Sequence, residues 1–131
     1  MKLLTDSDFL IANAKKDDPS HKTATSISRK LQKEKTELYC LNLVVQESAT
    51  VISKRIGMDS ARIFYKNIDS IIDKFIILDE ELEKLSWEIF LVQRRKGTSF
   101  IDCANIAAIK KYKLDGILSF DDFYPKDLRI K

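Results

Sequence analysis

Short, solid apolar runs alternate along this chain with longer stretches whose apolar positions recur at helical spacing, and that alternation predicts an α/β fold. Lys2–Thr5 is an apolar run stopped by Asp6, and Phe9, Leu10 and Ile11 begin a helix that closes near Lys15. Asp17, Asp18 and Pro19 form a turn, after which Pro19 or Ser20 opens a second helix through Ile27 and Leu31 to about Glu34. Glu37–Leu41 reads as the second strand. Asn42 is placed to N-cap a helix that carries Val44, Val45, Ala49, Ile52 and Ile56 on one face and stops at Gly57.

Asp59 or Ser60 caps the next helix, which reaches about Ser70, and residues 75–78 form a third strand. Asp79 then starts a long acidic helix to about Arg94. Gly97, Thr98 and Ser99 break the pattern before Ile101, Ala104, Ala108, Ile109 and Tyr112 resume it. Residues 116–119 are a fourth strand and 128–130 a short fifth. Helices between short strands imply one parallel sheet of four to five strands covered on both faces. With no internal repeat and no long linker, residues 1–131 are expected to form a single domain.

A hydrophobic content of 44% and a charged content of 33% describe a globular chain with a well-solvated surface. The net charge of +3 permits nucleic acid as a partner without requiring it. Charge is unevenly spread: residues 66–88 are acidic, while Arg94, Arg95, Lys96, Lys110, Lys111 and Lys113 follow as a basic group. Both runs read most simply as solvated helix faces. Cys40, Cys103 and the single histidine, His21, are too few and too scattered for a structural zinc. Cys103 is expected to be a small core residue and His21 a surface side chain. Without a charged-then-apolar leader or a membrane-length apolar stretch, a cytoplasmic protein with reduced thiols is expected.

The chemistry open to this chain is that of carboxylates. One histidine excludes a paired-histidine ribonuclease, and three glycines supply neither a nucleophile elbow nor a phosphate loop. Asp6, Glu47, Asp102 and Asp121 each lie close to a predicted strand or helix entry. In an open α/β sheet, acids distant in sequence converge beyond the carboxyl ends of the strands. A crowd of ionised acids needs a hard divalent cation to offset its repulsion, and such a cation suits a phosphodiester substrate. Taken singly, Asp6 reads equally well as a helix cap, Asp102 as a first-turn acid and Asp121 as a turn residue. Glu47 is less easily dismissed, because an acid at the edge of an apolar face needs a partner.

Four stretches carry a resemblance. Residues 3–12 (LLTDSDFLIA), 43–49 (LVVQESA), 98–104 (TSFIDCA) and 117–123 (ILSFDDF) resemble, in this order and spacing, the four motifs of PIN domains, and most closely those of VapC-type toxin ribonucleases. The resemblance spans essentially the whole chain and implies a three-layer PIN-like domain. It makes Asp6, Glu47, Asp102 and Asp121 the catalytic and metal-holding acids, with Mg2+ or Mn2+ as the cofactor. Asp122 competes for the fourth place, Asp121 being preferred because it directly follows Ser119 and Phe120. Asp8 stands where relatives often carry a small polar residue, and it adds negative charge. The implied substrate is single-stranded RNA, with Arg94, Arg95, Lys96 or Lys111 as candidates to steer its backbone. A small antitoxin protein and a second copy of the chain are the implied partners, and a housekeeping RNA-processing PIN nuclease is the alternative role.

A phospho-aspartate receiver domain is the rival from another class, with Asp6, Asp8 and Asp79 imitating its acids. Asp79 opens an acidic helix too far downstream, and the expected lysine after a late strand is missing. Incubation with a small phosphodonor is expected to leave Asp79 unmodified by intact mass, whereas a stable aspartyl phosphate there would favour the receiver.

Overall fold

A computed structural model describes residues 1–130. Its elements are β1 (Lys2–Thr5), α1 (Ser7–Ala14), α2 (His21–Lys33), β2 (Glu37–Leu41), α3 (Asn42–Arg55), α4 (Met58–Ile71), β3 (Lys74–Ile76), α5 (Glu80–Leu91), α6 (Phe100–Tyr112) and β4 (Gly116–Leu118). The four strands form one sheet in the order β3-β2-β1-β4, and every pairing is parallel. In register, Leu4 faces Tyr39 on one side and Ile117 on the other. Residues 128–130 do not make a full fifth strand. They join β4 through a single parallel bridge between Ile117 and Arg129.

The central strand is apolar because both of its faces are covered. Successive side chains of a strand point to opposite faces, so Leu3 and Leu118 share a cluster with Phe9, Ala24 and Leu31 of α1 and α2. Leu4 and Ile117 belong to the larger cluster with Ala104, Ala107 and Ala108 of α6. Those three alanines are fully buried, and their small side chains let α6 lie close against its neighbours. No helix among the described residues is long and apolar enough to cross a membrane.

Local chemistry explains most boundaries. The Asp79 side chain accepts the Leu82 amide at 2.8 Å and so caps α5, with Glu80, Glu81 and Glu83 favouring the positive end of the helix dipole. Ser99 caps α6 in the same way through the Ile101 amide. Two expected caps are corrected. Asn42 is the first residue of α3 instead of its cap, and its amide oxygen accepts the Leu78 amide at 3.0 Å, tying the end of β3 to β2. For α4 the cap is Gly57, whose φ of 136° suits only glycine, so the helix starts at Met58 and Asp59 pairs with Arg62 at 2.8 Å. The third strand also lies slightly earlier than its apolar run, because pairing with Tyr39 begins at Lys74.

Gly116 is required by close approach. A Cβ there would lie 2.5 Å from the Leu128 carbonyl oxygen, which itself accepts the Ile117 amide at 2.7 Å. Gly116→Ala is therefore expected to push the 128–130 segment off β4 and cost about 1–3 kcal/mol in urea unfolding. An unchanged midpoint and slope would contradict that packing.

Candidate active site

β1 leads to β2 on one side, while the chain crosses from β3 to place β4 on the other side of β1. The connections leaving β1 and β4 consequently diverge, and it is beyond the carboxyl ends at such a switch that an open α/β sheet places its ligand crevice. Asp6 follows β1 directly, and Ser119, Phe120 and Asp121 follow β4. The Asp6 amide donates to the Leu118 carbonyl at 3.0 Å, stitching the two strand ends together.

Asp6 is only 4% exposed, and three donors surround its carboxylate. Oδ1 accepts the Ser7 amide at 2.9 Å and Asn105 Nδ2 at 3.3 Å, while Oδ2 accepts the Ser119 hydroxyl at 2.8 Å. Such bonds favour the ionised form, yet burial outweighs them and, with the charges of Glu47 and Asp121, pushes the Asp6 carboxyl above its ordinary range. Asp102, in the first turn of α6, is half-buried. Burial and the charge of Asp6 raise it to about 6, against a lowering hydrogen bond from Tyr124. Asp121 and Glu47 add smaller upward contributions to Asp102. Asp6, Glu47 and Asp121 thus all act electrostatically on Asp102.

Neutral side chains hold this repelling set in place. Tyr124, 1% exposed, donates its hydroxyl to Asp102 Oδ1 at 3.0 Å and accepts Asn105 Nδ2 at 3.0 Å. Burial, then the charges of Asp6 and Asp102, push the Tyr124 phenol upward, so it stays protonated and able to donate. Asn105, itself fully buried, consequently links Asp6 to Tyr124 and through it to Asp102. Asn105 and Tyr124 were not among the residues singled out from the sequence. A signal existed for Asn105, a polar side chain three residues after Asp102 within an apolar helical stripe; for Tyr124 no local pattern existed.

Of the two candidates for the fourth acid, Asp121 is the one placed beside Asp6 and Asp102. Its amide donates to Ser119 Oγ at 3.1 Å, its Oδ1 accepts the Phe123 amide at 2.9 Å, and it acts electrostatically on Asp6 and Asp102. Asp122 points outward and pairs with Arg95 at 3.2 Å. Lys111, one of the proposed steering cations, is instead held 3.6 Å from both Asp79 and Glu81. Asp79 is therefore a helix cap and ion-pair partner. Glu47 lies half-buried on α3, at the edge of the apolar face as its spacing predicts.

Cys103 is fully buried, and Cys40 is buried with its thiol pushed up to about 12, so neither is a reactive thiolate. His21 is half-buried with Nδ1 2.7 Å from the Ala12 carbonyl oxygen, where it braces α1 against α2.

Among the described residues no three His, Cys, Asp or Glu side chains are drawn close enough to clasp an ion together. The donor set nevertheless fits a hard cation: it is all oxygen, its acids repel, and Asp8 Oδ1 and Asn105 Oδ1 are buried acceptors with no protein donor. Magnesium in particular keeps much of its water and needs few direct protein ligands.

The overall fold is the PIN-like fold of VapC-type proteins. VapC20 of Mycobacterium tuberculosis, a sarcin-ricin loop cleaving toxin, superposes with a TM-score of 0.79 at 22% identity, covering 92% of each chain. VapBC2 of Rickettsia felis, bound to a DNA fragment from its promoter, gives 0.73 at 12% identity over 99% of this chain and 98% of that one. No protein-family model and no curated protein matches the sequence.

Asp8 sharpens the electrostatics. Its Oδ2 accepts the Phe120 amide at 2.9 Å and lies 3.2 Å from Ser119 Oγ, and burial followed by the charge of Asp6 raises it from 3.8 to about 7. Between those values the folded state holds a proton that the unfolded chain has released. This contribution to stability is therefore complete below pH 3.8 and is lost as pH rises through about 7. In the presence of chelator, Asp8→Asn is expected to stabilise the protein at pH 8 by on the order of 1–3 kcal/mol, and hardly at all at pH 4. Equal effects at both pH values in chemical denaturation would contradict the shift.

Proposed function

We propose that the protein is a metal-dependent endoribonuclease that hydrolyses phosphodiester bonds of single-stranded RNA, and that it acts as the toxin of a toxin–antitoxin pair. What supports this reading is that Asp6, Glu47 and Asp121 all act electrostatically on Asp102, with Asp6 and Asp102 joined through Asn105 and Tyr124, in a fold like that of VapC-type proteins. The likeness to a sarcin-ricin loop cleaving toxin supports RNA as the substrate class. The likeness to VapBC2 supports a small antitoxin protein as partner, and a homodimer is proposed by the same analogy.

Asp6, Asp102 and Asp121 would hold Mg2+ or Mn2+, with Glu47 completing the set directly or through water. When bound, such an ion lowers the pKa of its water and offsets charge on the phosphoryl oxygens. The remaining work belongs to the protein. Ser119 and Asn105 fix the two oxygens of Asp6, and Tyr124 fixes Oδ1 of Asp102, so both carboxylates meet the substrate already oriented. Hydrolysis by water would leave a 5′-phosphate and a 3′-hydroxyl.

Asp102→Asn and Asp6→Asn are each expected to stay folded and to lose at least about a hundredfold in Mg2+- or Mn2+-dependent cleavage of a labelled single-stranded RNA. Chelator should silence the unsubstituted protein. A folded Asp102→Asn variant that cuts at the parent rate would overturn the assignment.

A further inference from the structure

We propose that Phe120 is a stacking platform for an unpaired nucleobase at the rim of the acid crevice, a role that rests on the ribonuclease reading. Phe120 stands between Ser119, which is bonded to Asp6, and Asp121, so its ring is fixed to the same turn as the acids. Its amide is held by Asp8 at 2.9 Å. On the inner side the ring leans on buried Phe9, with centroids 6.1 Å apart and planes tilted by 31°, yet the residue remains 37% exposed. An aromatic ring immobilised at both its backbone and one edge loses little freedom when a second ring settles on it.

Charge explains why the site needs such a group. Carboxylates dominate the crevice and repel the phosphate that has to enter it. Arg95, the cation tied to this rim, is already engaged by Asp122 at 3.2 Å. Stacking is indifferent to that field, and every base has a face to offer, so it supplies affinity where backbone electrostatics are weakened. Other strongly exposed apolar side chains, such as Tyr65 on α4 and Leu91 at the end of α5, lie on helices outside the β1 and β4 turns.

The test uses full-length protein carrying Asp102→Asn, so that RNA is bound without being cut. Two fluorescein-labelled probes of about 12 nucleotides are compared, one single-stranded RNA with bases and one fully abasic strand of the same length. Phe120→Ala is expected to weaken binding of the base-bearing strand about tenfold and to leave the abasic strand unaffected. Phe120→Trp should bind like the parent, while Phe120→Leu, apolar but not planar, should bind as weakly as Phe120→Ala. Full affinity in Phe120→Leu, equal losses on both probes, or no base-dependent binding by the parent would each overturn the proposal. Failure of the ribonuclease reading is separate: the unsubstituted protein would then cut no RNA with Mg2+ or Mn2+, whatever the binding series shows.

Discussion

Repulsion among carboxylates that the fold forces together is the constraint on which this site depends. Asp6 is almost completely buried and three donors attend it, yet burial still prevails and raises its pKa. Proteins normally avoid such an arrangement, since a charged group taken out of water costs several kcal/mol unless it is compensated. Here the local compensation is neutral. Asn105, Ser119 and Tyr124 provide hydrogens without charge, fixing where the acids point while leaving their negative field for whatever enters the crevice. A lysine or arginine in the same place would stabilise the acids better and leave less of that field unspent.

The sheet makes this concentration of charge possible. A strand in mid-sheet has neighbours on both sides, and β1 draws one of them from the chain's first third and the other from its end. Early and late segments therefore meet all along β1 and stay together at its carboxyl end. The apolar clusters on the two faces of β1 make that meeting rigid, with Leu3 and Leu4 committed to opposite layers. Rigidity matters more than usual here, because acids that repel would otherwise drift apart.

Much of the fold was legible in the sequence. Solid apolar runs such as Lys2–Thr5 and Glu37–Leu41 have one physical reading when turn residues bound them, and both strands lie where the runs lie. Helix starts were less legible where the polar residue had two possible employers. Asn42 has the side chain of a cap but spends it on the Leu78 amide, a partner 36 residues away that no local pattern reveals. The acids were readable one by one, Asp6 at the end of β1, Asp102 in the first turn of α6 and Asp121 just beyond β4, with Glu47 inside α3 at the edge of its apolar face. Their supports were not: Tyr124 sits 22 residues from Asp102, and nothing near it in sequence announces the contact. Lys111 misled for the opposite reason, as a basic cluster in sequence hides the acidic helix cap that claims it in space.

The span between Asp6 and Ser119, 113 positions apart, also sets the order of events during synthesis. An emerging chain can pair β1 with β2 early, but the pocket still lacks one wall until β4 and the turn behind it have left the ribosome. Until then Asp6 has lost neither its water nor its freedom, and Asp102 has no tyrosine to aim it. A nascent or prematurely ended polypeptide accordingly lacks this arrangement of acids and neutral donors.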